Sequence, residues 1–200
     1  MNQEIAVPEY AEYKEILKGR LSPKRYEHSL CVADEALRLA CKYGGDPQKA
    51  YLAGLLHDIT KNTVESEHFK LFNTFGAELS EIERTSEKLW HAISGALYIR
   101  YLLNIDDAEL IDAVRYHTTA KAEMSLLAKI LYLADFTSAD RDYDDVDVMR
   151  RLVDESMDEA MAYALRYTVL DLAERNLAIH PDTLSAFNEI MLKRRKDNGK

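Results

Sequence analysis

Proline and glycine stand where they start or stop helices, and this punctuation constrains the chain more than any other feature. Ser22-Pro23 reads as an N-cap with Pro at the first helical position, and Gly44-Gly45 supplies a stop, so residues 23 to 43 should form one helix. Leu30, Ala33, Leu37 and Ala40 mark its apolar stripe. Asp46-Pro47 opens a second helix in the same way, running through Tyr51, Leu52, Leu55 and Leu56 to His57-Asp58. Residues 64 to 88 are more polar and read as short helices broken at Gly76. Helical patterns resume at about Trp90 to Leu103, Ala108 to Tyr116, Ser125 to Phe136 and Val146 to Leu177, with a last helix after Pro181. Only seven Gly and four Pro interrupt 200 residues, so the expected class is all-α: a helical bundle in a single compact domain. The basic segment Lys193 to Lys200 is expected to fray.

A formal net charge of -9 argues against a nucleic-acid partner, because polynucleotide affinity needs clustered Lys and Arg. A small anionic ligand needs only a few local cations or a metal. The opening residues MNQEIAVPEY lack the basic and apolar regions of a signal peptide, and no stretch approaches the roughly 18 apolar residues of a membrane span. The expectation is a cytoplasmic protein without membrane association. Cys31 and Cys41, ten positions apart on one helical stretch, are too distant to bridge and read as buried reduced thiols.

His57 and Asp58 place an imidazole and a carboxylate side by side after the apolar run Ala53-Gly54-Leu55-Leu56, which is costly beside a core unless something compensates them. A bound metal ion would do so. Of the six His, at 28, 57, 68, 91, 117 and 180, four lie within or at the ends of helical stretches: His28, His57, His91 and His117. Asp135 adds a carboxylate to the apolar run Leu131-Tyr132-Leu133-Ala134. One such histidine is ordinarily a core residue hydrogen-bonded to a neighbour. A set of imidazoles and carboxylates converging from different helices is what a divalent ion requires. Arg25 and His28 share a helix face, and Lys61 lies three residues beyond Asp58, so a guanidinium and an ammonium can meet an anion beside the same centre. The plainer alternative for both is a solvated charge. Thr118 and Thr119, directly after His117, offer donors to a phosphate or simply end a helix. The acidic run Asp140 to Asp147 fails as a calcium loop, since Asp145 stands where Gly is needed and Arg151 where Glu is needed. It reads as a solvated loop. Neither a P-loop nor a GxGxxG segment is present.

The order His28, His57-Asp58, His91, His117, Asp135 resembles the H...HD...H...H...D pattern of HD-domain phosphohydrolases. The phrases Arg25-x-x-His28, Leu55-Leu56-His57-Asp58-x-x-Lys61, Leu89-Trp90-His91-Ala92, Arg115-Tyr116-His117-Thr118-Thr119 and Leu131-Tyr132-Leu133-Ala134-Asp135 look like the YqeK-type subgroup, the symmetrical bis(5'-nucleosyl)-tetraphosphatases. The resemblance covers about residues 20 to 185 and implies an HD-domain bundle with a peripheral N-terminal helix and basic C-terminal tail. It implies that His28, His57, Asp58 and Asp135 ligate a divalent ion, iron by family association, with manganese or magnesium as alternatives. His91 and His117 would ligate a second ion or, with one ion, face the phosphate as catalytic groups beside Asp58 and Lys61. The implied nucleotide-binding residues are Arg25, His28, Asp58, Ile59, Thr60, Lys61, His91, His117, Thr118, Asp135, Arg141, Ile179, His180, Pro181, Asp182 and Thr183, the last five bordering the base.

The expected activity is metal-assisted hydrolysis of a phosphoanhydride, diadenosine tetraphosphate being cut symmetrically to two ADP. Two alternatives remain open: an HD phosphohydrolase acting on a mononucleotide, a deoxynucleoside triphosphate or a cyclic dinucleotide, and a non-catalytic nucleotide sensor. The long helix expected after Val146 can form a homodimer interface or an internal core.

Overall fold

The computed structural model describes residues 10 to 198, and the described residues hold helices and no strand. The readings made on residues 1 to 9 and on Gly199-Lys200 lie outside them. After α1 (Ala11–Arg20), α2 (Pro23–Tyr43) starts at Ser22, whose hydroxyl accepts from Arg25 N–H at 3.4 Å, and stops at Gly44, left-handed with φ 74°. Then α3 (Pro47–Leu56) starts at Asp46, whose carboxylate accepts from the N–H groups of Gln48 and Lys49. The two helices meet backbone to backbone where Gly54 lies against Ala33.

Apolar burial fixes the rest. α8 (Leu126–Thr137) packs on both α2 and α3 and buries Ile130, Leu131, Leu133 and Ala134 completely. α7 (Ala108–Tyr116) lies against α8 and α6 (Glu87–Tyr101). α4 (Glu65–Phe75) and α5 (Glu81–Thr85) cover α6 over a small separate cluster of Phe72, Trp90 and Ile93. α9 (Val146–Glu155) and α10 (Met157–Glu174) flank α8, and α11 (Pro181–Asn198) packs on α10. No described helix is long and apolar enough to cross a membrane.

Three expectations are corrected. The single helix expected from Val146 to Leu177 is two, because Ser156 is extended (φ −159°, ψ 125°) and its hydroxyl caps the next helix at Glu159 N–H. The segment after Lys193 continues α11 through Asn198, where Lys193 pairs with Asp158 at 2.6 Å and Arg194 with Glu159 at 2.7 Å. Both cysteines are free, but Cys31 is half-buried and Cys41 exposed, ten residues of helix having turned Cys41 roughly 80° away from Cys31.

Gly54 generates a prediction. A Cβ there would stand 2.7 Å from Ala33 Cα and 2.9 Å from Val32 O, backbone atoms that cannot step aside. Ala ordinarily gains about 1 kcal/mol over Gly inside a helix, yet Gly54→Ala is expected to cost at least about 2 kcal/mol by overpacking. Gly19→Ala, whose Cβ meets nothing within 4 Å, is the control and should stabilise. Urea denaturation of the two variants checks the sign of each.

Candidate metal centre

Helix ends and helix interiors both deliver the polar groups that the sequence sets beside the core. His57 is the residue that ends α3 and His117 the one that ends α7, while His28 comes from within α2, His91 from α6 and Asp135 from α8. Past His57 the backbone tightens into short turns: Ile59 N–H donates to Leu56 O at 3.1 Å and Lys61 N–H to Asp58 O at 2.8 Å. These turns bring Lys61 Nζ within 3.7 Å of Asp58 Oδ1 while Ile59 is fully buried in the core. The last carbonyls of a helix lack intrahelical partners. Two of them are used here, His57 Nδ1 donating to Gly54 O at 2.7 Å and His117 Nδ1 to Val114 O at 2.7 Å.

Those bonds assign the tautomers. A carbonyl only accepts, so both rings carry their proton on Nδ1 and turn the Nε2 lone pair inward. His28 behaves alike toward a carboxylate, its Nδ1 lying 2.8 Å from Asp140 Oδ2. His28 Nε2 is 3.0 Å from Asp135 Oδ1 and 4.0 Å from Asp58 Oδ2; His57 Nε2 is 3.5 Å from Asp58 Oδ2 and 3.9 Å from Asp135 Oδ1. His117 Nε2 stands 3.7 Å from Asp58 Oδ1 and 3.1 Å from His91 Nε2. The enclosed Nε2 atoms of His28 and His57 and Oδ1 of Asp58 make no hydrogen bond. Lone pairs facing lone pairs in a buried space are unfavourable unless a cation lies between them. Three overlapping sets have their donor atoms within 4.8 Å of one another: His28, His57 and Asp58; His57, His117 and Asp135; and Asp58, His91 and His117. Imidazole nitrogen with carboxylate oxygen is a donor set that fits a divalent metal ion.

Cations surround this centre. Arg25 Nη1 lies 3.0 Å from Asp58 Oδ2, Lys61 Nζ lies 3.0 Å from His91 Nε2, and Arg141 Nε donates to Asp135 O at 2.6 Å while its Nη2 meets the Asp135 carboxylate. Burial by itself would raise both carboxylates. The neighbouring cations, Lys61 at Asp58 and Arg141 at Asp135, nevertheless hold both below the usual carboxylate range. Burial pushes Lys61 down and pushes His91 well below the ordinary histidine value, against the pull of Asp58.

The HD domain family model matches residues 25 to 140, more than half of the chain. The chain belongs to the HD-domain family. Its structure is similar to the crystal structure of a predicted HD superfamily hydrolase involved in NAD metabolism from Clostridium acetobutylicum, with a TM-score of 0.89 and 31% identity over 94% of this chain and 100% of that one. Among curated relatives, a symmetrical bis(5'-nucleosyl)-tetraphosphatase of Halalkalibacterium halodurans is 34% identical, covering 90% of this chain and 96% of the relative. Another of the same name, from Bacillus subtilis, is 30% identical over 86% of this chain and 92% of the relative.

Around this HD-domain centre the structure gathers Arg25, His28, His57, Asp58, Lys61, His91, His117, Thr118, Asp135 and Arg141. Thr118 Oγ1 lies 3.4 Å from His91 Nε2 and 3.3 Å from His117 Nε2. Two side chains in the expected nucleotide set face elsewhere: Ile59 fills the core, and the buried Thr60 hydroxyl donates to His91 O at 2.8 Å. His180 and Thr183 join Thr118, Thr119 and Lys88 in the wall of a cleft of about 440 Å³, with Ile179, Pro181 and Asp182 flanking them in sequence. His180 Nδ1 accepts from Asp182 N–H at 3.2 Å, and the Thr183 hydroxyl donates to Thr119 O at 2.7 Å. Asp140, Asp142, Asp144 and Asp145 are all exposed, as expected of a solvated loop, but Asp140 also turns an oxygen back to His28. No local pattern signals this, because the pair is 112 residues apart.

The depressed basicity of His91 gives a pH dependence. Its native value lies below the ordinary 6.5, so on acidification the unfolded chain binds this proton first, and stability falls as the pH drops below 6.5. Asp58 and Asp135, depressed from 3.8, contribute stability above that pH which is lost only as their lower native values are crossed. Urea midpoints of metal-free protein from about pH 8 to about pH 5 should therefore decline, and His91→Gln should flatten part of the slope. An equal slope in the variant would rule out this source.

Proposed function

We propose that this protein is a metal-dependent hydrolase that cleaves diadenosine tetraphosphate symmetrically into two ADP, acting on this small-molecule nucleotide in the cytoplasm. The observation that carries the reading is the convergence of the unpartnered Nε2 atoms of His28 and His57 on the Asp58 carboxylate, 4.0 and 3.5 Å from its Oδ2, while its Oδ1 also lacks a hydrogen bond. The HD-domain match and relatives named as symmetrical bis(5'-nucleosyl)-tetraphosphatases over most of the chain supply the substrate class. Two free thiols are compatible with a reducing compartment.

In this reading His28, His57, Asp58 and Asp135 hold one ion. Iron is the ion that the family resemblance implies, and imidazole nitrogen suits a transition metal better than magnesium, which prefers oxygen. Lys61 Nζ, 3.0 Å from His91 Nε2 and 3.7 Å from Asp58 Oδ1, stands on the side where a second ion would sit. His91 and His117 accordingly face the phosphate. An ion held by His28, His57, Asp58 and Asp135 would supply Lewis acidity toward a phosphoryl oxygen and a water. Asp58, a buried carboxylate at the centre, would be the acceptor for a proton from such a water by position. Arg25 and Arg141 present planar donor forks and Lys61 a point charge to the phosphates. Thr118 adds a hydroxyl donor between the metal centre and the cleft. The nucleoside occupies that cleft, bordered by the segment from Ile179 to Thr183.

Substitution separates the roles. His57→Ala and Asp58→Ala should lose bound metal and hydrolysis together, whereas Arg25→Ala should keep the metal and raise KM about 10- to 100-fold, the worth of a charge-assisted bond. Metal content by elemental analysis and steady-state kinetics on diadenosine tetraphosphate measure both. Full metal occupancy in the Asp58 variant would contradict the assignment.

A further inference from the structure

Three imidazoles of the centre need an acceptor for Nδ1–H if Nε2 is to present a lone pair, and the backbone can supply only two. His57 and His117 stand at helix ends, where Gly54 O and Val114 O are available. His28 is the sixth residue of a helix of 21, where the preceding carbonyls are engaged in the helix ladder. An acceptor for it has to come from elsewhere in the chain. Asp140 provides one from the turn after α8, its Oδ2 lying 2.8 Å from His28 Nδ1. The other oxygen is fixed in turn, Ser138 Oγ donating to Asp140 Oδ1 at 2.7 Å from a fully buried position. The turn itself is closed by Arg141 N–H donating to Ser138 O at 3.0 Å and is clamped by Arg150, whose Nη2 donates to Ser138 O and Arg141 O. A carboxylate held at both oxygens in a clamped turn is a rigid acceptor.

We propose that Asp140 is a positioning residue for His28, fixing its imidazole in the Nδ1–H form with the Nε2 lone pair directed at Asp135 and Asp58. The inference rests on the metal reading of the site and extends it to a residue outside the ligand set. Outer hydrogen-bond partners of metal-bound histidines fix the ring and its tautomer and raise its basicity. Asp140 is 32% exposed, so its contribution here is direction more than charge. The same short segment thus does two things: Asp135 faces the centre, and Asp140, five residues on, aims the histidine opposite it.

The test needs no metal for its first arm. Long-range proton–nitrogen spectra of metal-free wild type at neutral pH should show a proton on His28 Nδ1, and an Nδ1 without a proton would overturn the proposal whatever any variant does. In Asp140→Ala the ring should move toward Nε2–H, the form that free imidazole side chains prefer in water. Asp140→Asn, which can still accept through Oδ1 while the Ser138 hydroxyl turns to accept from its amide, should restore Nδ1–H. In the second arm, Mn²⁺ titration of the metal-free proteins should give a dissociation constant about tenfold weaker for Asp140→Ala than for wild type. An Asp140→Ala protein that keeps the Nδ1–H form, or binds Mn²⁺ within about twofold of wild type, refutes the role. A wild type with the expected tautomer but no Mn²⁺ binding overturns the metal reading itself, and the ligand-positioning role with it.

Discussion

Asp58 is a carboxylate with 2% exposure, held ionised among imidazoles, and the surrounding structure is arranged to tolerate it. Removing such a group from water costs several kcal/mol unless charge and hydrogen bonds replace the lost hydration. Arg25 replaces part of it at 3.0 Å and Lys61 part at 3.7 Å, but Oδ1 remains without a hydrogen bond, 3.2 Å from His91 Nε2 and 3.7 Å from His117 Nε2. A divalent cation completes that account. The same lone pairs that are a liability to the bare fold are then its donor set.

The fold makes this geometry by ending helices at chosen places. α3 stops at His57, so the ring can use Gly54 O, and Gly54 in turn lets α3 approach α2 closely enough for His28 to face His57, with ring centroids 5.3 Å apart. The turns after His57 then send Ile59 into the core and Asp58 and Lys61 to the centre. A buried relay backs the opposite wall: His68 Nδ1 meets the Ser94 hydroxyl at 2.7 Å, Ser94 donates to Thr60 and Thr60 to His91 O, each at 2.8 Å. Packing and chemistry therefore share residues, which is why a methyl group at Gly54 would be felt at the metal centre.

What could be read without coordinates followed from local physics. Ser22 and Asp46 each cap a helix with their own side chain, so those two starts were visible as Ser-Pro and Asp-Pro dipeptides, whereas the capping by Asp107 and Ser125 emerged only in the structure. The break at Ser156 was not, because amphipathic segments run on both sides without Gly or Pro, and only the extended backbone of that serine separates them. The histidines and Asp135 stood out as polar groups in apolar helices. Asp140 did not, since it lies in an acidic run and its partner is far away in sequence. The cleft beside His180 and Thr183 was anticipated only through family resemblance, because it is assembled by α6, α10 and α11 meeting around Thr118 and Thr119. Such a surface has no one-dimensional pattern.

In the proposed reaction the buried histidine–aspartate centre uses a metal to cut a tetraphosphate bridge at its midpoint. This reaction is tested most directly by purifying the protein without oxygen, stripping and restoring its metal, and separating the products formed from diadenosine tetraphosphate. ADP should be the sole product, with turnover lost on chelation and recovered on returning Fe²⁺. ATP with AMP as products, or turnover unchanged after the metal is removed, would contradict it.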